Sequence, residues 1–442
     1  MEKIMENNSK FTNKWGFIMA CVGSAVGLAN VWAFPYKIGM NGGLSFLIPY
    51  LFFVFLFGRV GLSAESAVGR KYKSGPMGVF REVWKSRNKE GVGRVLRWIP
   101  LVGVVLLAIG YTVVITYVLK ALLDSITGTL LTQDPNVWFE SISTNDFALA
   151  KEHFLLIIIV FLTLAYGTKG IEKTNSFMMP LFFVLFIILA IRIAFLNKAV
   201  EGYKFIFSLE PEKLMDIRLW IAAMGQAFFS LSIVSTVMVV YGSYLPDSED
   251  IVHSSTITSS LDTVAAMLST FVMLPATFAF GFSQSEGPKL IFVVLPKVLQ
   301  EISGGRVFAI ILYIAIVFAG VLSVQSMIET VVEAITSKFE KLKRIHVLMA
   351  LMAIVFICGL FLHPIAKWGA WMNFVTIYIL PISAIMGAIS WFWVMKKEDL
   401  LDEINKSAKK THGDGWYNLG RYLYVPLAVI LCIIAIRYQI SF

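Results

Sequence analysis

Charge is scarce in this chain. Only 15% of its 442 residues are Asp, Glu, Lys or Arg, against about 25% in soluble domains. Hydrophobic residues make up 57%, and the mean hydropathy is +0.74. This excludes an ordinary soluble domain and indicates an integral membrane protein, which the apolar segments below make all-α. Cysteine is also scarce. Cys21, Cys358 and Cys432 all lie within apolar runs, which leaves no disulfide framework and no metal-ligand spacing. The histidines, at 153, 253, 346, 363 and 412, stand near span ends or in loops. Neither H-E-x-x-H nor G-x-x-x-x-G-K-[ST] occurs, and no paired-carboxylate site is visible inside the membrane, so an enzyme is not expected. The net charge of +9 does not mark a nucleic-acid binder, because the basic residues fall between apolar segments in the positive-inside pattern. The short polar N-terminus, MEKIMENNSKFTNKW, lacks the pattern of a cleavable signal peptide.

What the chain has instead is eleven apolar segments, at roughly 15–37, 43–66, 98–124, 152–168, 175–196, 218–245, 258–283, 304–335, 346–362, 369–395 and 421–440. With the N-terminus in the cytoplasm, the basic loop from Arg70 to Arg97, the Lys338–Arg344 group and the Lys396–Lys410 loop all face inward. The acidic turn PDSED at 246–250 is the exception. Eleven spans put the C-terminus outside a cell membrane. Trp368, Trp371, Trp391 and Trp393 fit interfacial belts around the tenth segment.

Two segments do not read as plain anchors. The first carries Gly23, Ser24, Ala25 and Gly27, then Asn30 and Pro35. The sixth carries Ser230, Ser232, Ser235 and Thr236 where an anchor would have Leu or Val. Freed backbone groups cost several kcal/mol in lipid unless something satisfies them. Helices broken at mid-membrane therefore line a cavity or hold a ligand, and two of them five spans apart fit a five-plus-five inverted repeat. The chain divides accordingly into a cytoplasmic segment 1–14, repeats 15–196 and 197–395, and an inner loop with the eleventh helix at 396–442. Asp262, mid-way along the seventh segment, is costly in lipid and signals function by default. No ring of pore-lining residues is visible, which argues against a channel.

The motifs GSAVGLANVWAFPY (23–36), NGG (41–43), Glu65 with Gly69-Arg70, GQAFFSLS (225–232), YGSY (241–244), SLDTV (260–264) and AGVLS (319–323) occur in order at matching spans. Through them the chain, over about 14 to 440, resembles the neurotransmitter:sodium symporters, in particular their bacterial amino-acid transporter branch with the leucine-transporter fold. The resemblance implies one central site among helices 1, 3, 6 and 8. The substrate carboxylate would meet the free amides of the first break, around Ser24, Ala25, Leu28 and Ala29, and the hydroxyl of Tyr111. Phe229 would close over the substrate. Leu28, Leu107, Ser230, Ser232, Ser235, Ser323 and Met327 would line the pocket.

The same resemblance implies a first sodium site from the Ala25 carbonyl, Asn30, Ser230, Asp262 and the substrate carboxylate. Animal members have Asn at the Asp262 position and borrow a chloride, so chloride independence is expected here. A second sodium site would use Gly23, Val26, Ala319 and Ser323. There Leu322 stands where the family has Thr or Asp, and one oxygen is missing: the site is weak, or water completes it, or a single sodium drives transport. The outer charge pair is absent, with Ala33 and Met372 or Asn373 in its place. The inner pair is replaced by Asn8 and Ser337, with Lys10 as a substitute cation. Val234, Ser235 and Thr236 stand where glycines and a large apolar residue are usual, so a shorter or reshaped break in helix 6 is expected. Ser235 and the adaptable Met327 favour a bulky, aromatic amino acid. The expectation is a sodium-coupled symporter, monomeric or homodimeric. The alternative is a sodium-independent exchanger of the same fold, motivated by Leu322.

Overall fold

The computed structural model describes residues 11–282 and 289–440, which are helical throughout with no strand among them. Each of the eleven apolar segments is a helix or a helix pair: α1a (Lys14–Ala25) and α1b (Ala29–Asn41), α2 (Leu44–Tyr72), α3 (Trp98–Thr127), α4 (Ala150–Leu164), α5 (Thr168–Ala194), α6a (Ile217–Ser230) and α6b (Val237–Ser243), α7 (Ile251–Phe280), α8 (Gly305–Lys338), α9 (Arg344–Leu360), α10 (Ile365–Val394) and α11 (Asp414–Tyr438). By length and hydropathy alone, 7 of the described helices are long enough to cross a membrane, and α1a with α1b counts as an eighth, bent by 58°.

The break in α1 follows from its sequence. The Gly27 amide, which a continuous helix would give to the Gly23 carbonyl, is taken by Asn30 Oδ1 at 3.0 Å. The Leu28 amide is taken by the Tyr111 hydroxyl at 2.8 Å. Val26 is extended, with ψ of 115°. The carbonyls of Gly23 and Ser24 thus lose their helical partners at the centre of the molecule.

Helix α6 breaks by different means. Ser232 and Thr236 adopt left-handed backbone, φ of +56° and +52°, on either side of a single 3-10 turn, Ile233–Ser235. For residues other than glycine such conformations cost about 1–3 kcal/mol each and cluster at functional sites. The expected short break is present, but strained backbone makes it where glycine would do so freely.

The helix surfaces divide between lipid and core. Helix α5 has only 28% of its apolar window buried, leaving Phe177, Val184, Ile187 and Ile191 outward, as a lipid-facing helix requires. Two of the tryptophans expected in interfacial belts are inside instead. Trp391 is 1% exposed, and Trp368 donates its indole N–H to the Gly110 carbonyl at 2.8 Å. Trp371 likewise bonds the Leu106 carbonyl at 2.9 Å, so both bind α10 to α3. Trp393 is exposed and remains compatible with a belt.

The acidic turn at 246–250 is explained by its partners. Asp247 pairs with Lys73 (2.9 Å) and Lys406 (2.7 Å), and Glu249 with Lys14 (2.8 Å). These cations lower the Asp247 carboxyl to about 2. The buried Arg70 bridges the turn to the inner loop helix through Glu403 at 2.5 Å and the Glu249 carbonyl at 2.7 Å. The turn is acidic because it is the counter-charge of the basic loops beside it.

Candidate functional site

The two breaks face each other. The Ser232 hydroxyl donates to the Ser24 carbonyl at 2.9 Å, satisfying one of the freed oxygens of α1, and the Ser235 hydroxyl turns back to the Ser232 carbonyl at 2.7 Å. Between the breaks lies a cavity of about 20 Å³. Ser24, Ala25, Ala29, Leu107, Tyr111, Phe229, Ser232, Ser235, Ser323 and Met327 line it together with Gly27. Of the expected pocket residues only Leu28 and Ser230 are elsewhere. Leu28 lines the space above, and Ser230 points toward α7. Ser24 Oγ is buried without a partner. A space this small holds about one water.

A vestibule of about 440 Å³ lies over the cavity, with Trp32, Ala33, Met372 and Asn373 among its walls. Ala29, Tyr111 and Phe229 line both spaces and form the partition between them. No charge pair crosses the vestibule at Ala33, Met372 and Asn373. Trp32 and Trp368 meet there edge to face at 6.2 Å.

The opposite side is closed by contacts that the sequence reading missed. Glu329 of α8, 1% exposed, forks with Arg344 at the start of α9 at 3.0 and 2.5 Å and accepts the Tyr244 hydroxyl at 2.7 Å. Glu172 of α5 holds the chain ahead of α1a through the Thr12 amide (2.9 Å), the Thr12 hydroxyl (2.6 Å) and the Asn13 amide (2.6 Å). Phe11 packs on Tyr241 and Tyr244. Asn8 and Lys10 lie outside the described residues, and the Ser337 hydroxyl bonds only within its own helix, to the Ala334 carbonyl. The signal for this closure was the presence of Glu329 and Glu333 within an otherwise apolar helix.

Asp262 lies beneath the partition, fully buried. Its carboxylate accepts from Asn30 Nδ2 at 2.7 Å and from the Ser230 hydroxyl at 2.7 Å, and Asn30 Nδ2 also reaches Ser230 Oγ at 3.1 Å. Among the described residues no Lys, Arg or His forms an ion pair with Asp262. A buried carboxylate with neutral partners only is short of one positive charge. A hard cation that takes oxygen ligands, as sodium does, fits such a donor set. Gln226 ties α6a to α1b alongside, donating to the Ala29 carbonyl at 3.2 Å.

Of the second expected group, Ser323, Val26 and Ala319 are in contact. Ser323 Oγ contacts the Val26 carbonyl at 3.2 Å and the Ala319 carbonyl at 3.1 Å. The Leu322 side chain packs against Gly23.

A membrane-embedded bundle with two facing broken helices, a central cavity and one closed side defines a secondary transporter. Sequence comparison says which kind. The sodium:neurotransmitter symporter family matches residues 8–153 and 139–441, and the chain belongs to that family. It is 31% identical to the uncharacterized sodium-dependent transporter YhdH of Bacillus subtilis, over 98% of both chains. It is 30% identical to the uncharacterized sodium-dependent transporter MJ1319 of Methanocaldococcus jannaschii, over 93% of this chain and 87% of that one. The crystal structure of MhsT in complex with L-phenylalanine superposes with a TM-score of 0.86 at 29% identity, covering 97% of this chain and 99% of MhsT. The protein is a sodium-dependent membrane transporter of this family, and not an enzyme.

Proposed function

We propose that the protein is a sodium-coupled, chloride-independent symporter of a hydrophobic amino acid, with aromatic side chains accepted. The observation that carries this is the buried Asp262 carboxylate, bonded to Asn30 and Ser230 and without an ion pair to any Lys, Arg or His among the described residues. Sodium at Ala25, Asn30, Ser230 and Asp262 would complete its charge, and a carboxylate fixed in the protein makes a chloride unnecessary. The substrate carboxylate would sit at the break of α1 beside this sodium, with Tyr111 as a hydrogen-bond donor, so ion and substrate stabilise each other. The small Ser235 and Ser323 side chains and the adaptable Met327 thioether leave a partly polar floor that can open for a bulky side chain, and the phenylalanine bound to the similar MhsT supports that class.

The 20 Å³ cavity is too small for an amino acid. Loading therefore requires Phe229 to swing aside and join the cavity to the 440 Å³ vestibule. Release requires the Glu329–Arg344–Tyr244 closure to part. The halves 15–196 and 197–395 would carry the alternation, with the N-terminus and the Glu329 side cytoplasmic and the vestibule outside.

The test is uptake into proteoliposomes of Tyr, Trp, Phe, Leu and Met with and without an inward sodium gradient. Accumulation only with the gradient is expected. Equal uptake without sodium would contradict symport. Exchange of internal for external substrate in sodium-free medium would instead favour the exchanger that Leu322 motivates.

A further inference from the structure

One buried oxygen beside the second group of carbonyls has no partner. Asn175, on α5, is 0% exposed. Its amide nitrogen donates to the Ile171 carbonyl at 2.8 Å and to Gln325 Oε1 at 2.8 Å. A backbone carbonyl can only accept, so the orientation of the amide is fixed and Oδ1 is the free end. That oxygen makes no hydrogen bond. It packs directly against Gly23, on the same face where the Leu322 methyl packs. Gly23 is the residue whose carbonyl lost its helical partner when Asn30 captured the Gly27 amide.

An amide oxygen buried with nothing to accept from is destabilising. Such a cost persists where the atom has a ligand that the protein itself does not supply. The surroundings define the ligand. Beside the Leu322 methyl stand oxygens: the freed Gly23 carbonyl and, at the same break, the Val26 carbonyl, which the Ser323 hydroxyl of α8 reaches together with the Ala319 carbonyl. No charged side chain is among them. Several neutral oxygens converging on a helix break suit a monovalent hard cation.

We infer that Asn175 Oδ1 is a ligand of a second sodium site, taking over from α5 the oxygen that Leu322 fails to provide from α8. This rests on the proposed sodium coupling and deepens it. The consequence is mechanical as well as electrostatic. A sodium held here ties α5 to the break of α1, and α5 also carries Glu172, which anchors the residues before α1a. Occupancy of the site would therefore favour the state closed on the Glu329 side.

The experiment measures sodium titrations of the purified protein by two readouts, equilibrium binding of a radiolabelled amino acid that the wild type transports and thermal unfolding without any amino acid. The variants are Asn175→Leu, Leu322→Thr and the double variant. Asn175→Leu is expected to raise the half-saturating sodium concentration at least tenfold in both readouts. The double variant, which returns an oxygen from the other wall, is expected to recover most of that loss, and this recovery separates lost ligation from misfolding. An unchanged sodium requirement in Asn175→Leu, or a loss that Leu322→Thr does not repair, would overturn the inference while leaving coupling through Asp262 intact. A wild type indifferent to sodium in both readouts would overturn the inference and the symporter reading together.

Discussion

The two oxygen-rich regions beneath the vestibule are built on opposite plans. Around Asp262, a full charge is held by neutral hydrogen-bond donors, Asn30 and Ser230, and no Lys, Arg or His among the described residues pairs with it. Around Gly23, no charge is present, yet Asn175 Oδ1 is unpartnered and an apolar Leu322 fills part of the space. The first region holds an unpaired charge and the second an unpartnered oxygen. An electrostatic deficit in a medium of low dielectric is the larger of the two, so the Asp262 region should dominate sodium affinity and the Gly23 region should tune it.

Removing the charge should have the largest effect. Asp262→Ala is expected to weaken sodium-dependent amino-acid binding by about two to four orders of magnitude, as losing one member of a buried charged interaction costs about 3–5 kcal/mol. Equilibrium binding across a sodium titration measures it. The next effect falls on both regions at once. Glu329→Gln leaves Arg344 without its carboxylate and should open the closed side, so transport falls about tenfold or more, while amino-acid binding from the vestibule side survives. The buried Cys21 reports the opening through a faster alkylation rate, read by mass spectrometry.

The second region yields less. A methyl on Gly23 would meet the Asn175 amide carbon and the Leu322 methyl at 3.1 Å each, with the amide oxygen closer still. Gly23→Ala is therefore expected to cost about 1–3 kcal/mol by overpacking and to raise the sodium requirement severalfold, less than Asp262→Ala does. A larger effect at Gly23 than at Asp262, in the same titration, would reverse the ranking.

The smallest effect lies outside the membrane. The folded carboxyl of Asp247 sits at about 2, depressed by Lys406 and Lys73, against about 3.9 for a free Asp. Its contribution is thus present above about pH 4 and lost as pH falls toward 2. The group is half exposed, so Asp247→Asn should cost at most about 1 kcal/mol and less in high salt. Thermal unfolding at two ionic strengths checks it, and neither cation region should respond.

The differences in plan explain what the sequence revealed. Spans, helix breaks and the Asp262 group were legible because lipid penalises small, polar and charged residues, so each one that survives is informative. Of the residues that line the small cavity, Ser24, Ala25, Ala29, Phe229 and Ser232 sit in short motifs on the two broken helices, whereas Leu107, Tyr111, Ser323 and Met327 come from α3 and α8. Asn175 was not: a single Asn on α5 carries no spacing signal, and only its position against Gly23 gives it meaning. The Glu329–Arg344–Tyr244 closure joins three elements far apart in the chain, and no local pattern announces it. Trp368 and Trp391 were misplaced because composition at a span end cannot distinguish an indole at the lipid interface from one bonded inward to a neighbouring helix. The left-handed backbone at Ser232 and Thr236 was hidden because those residues do not normally adopt it.

The most direct measurement is radioactive sodium entry into proteoliposomes, followed with and without a transported amino acid, with all chloride replaced by gluconate. The account predicts that the amino acid accelerates sodium entry and that removing chloride changes nothing. Amino-acid entry without accompanying sodium, or coupled entry that requires chloride, would contradict the role given to Asp262.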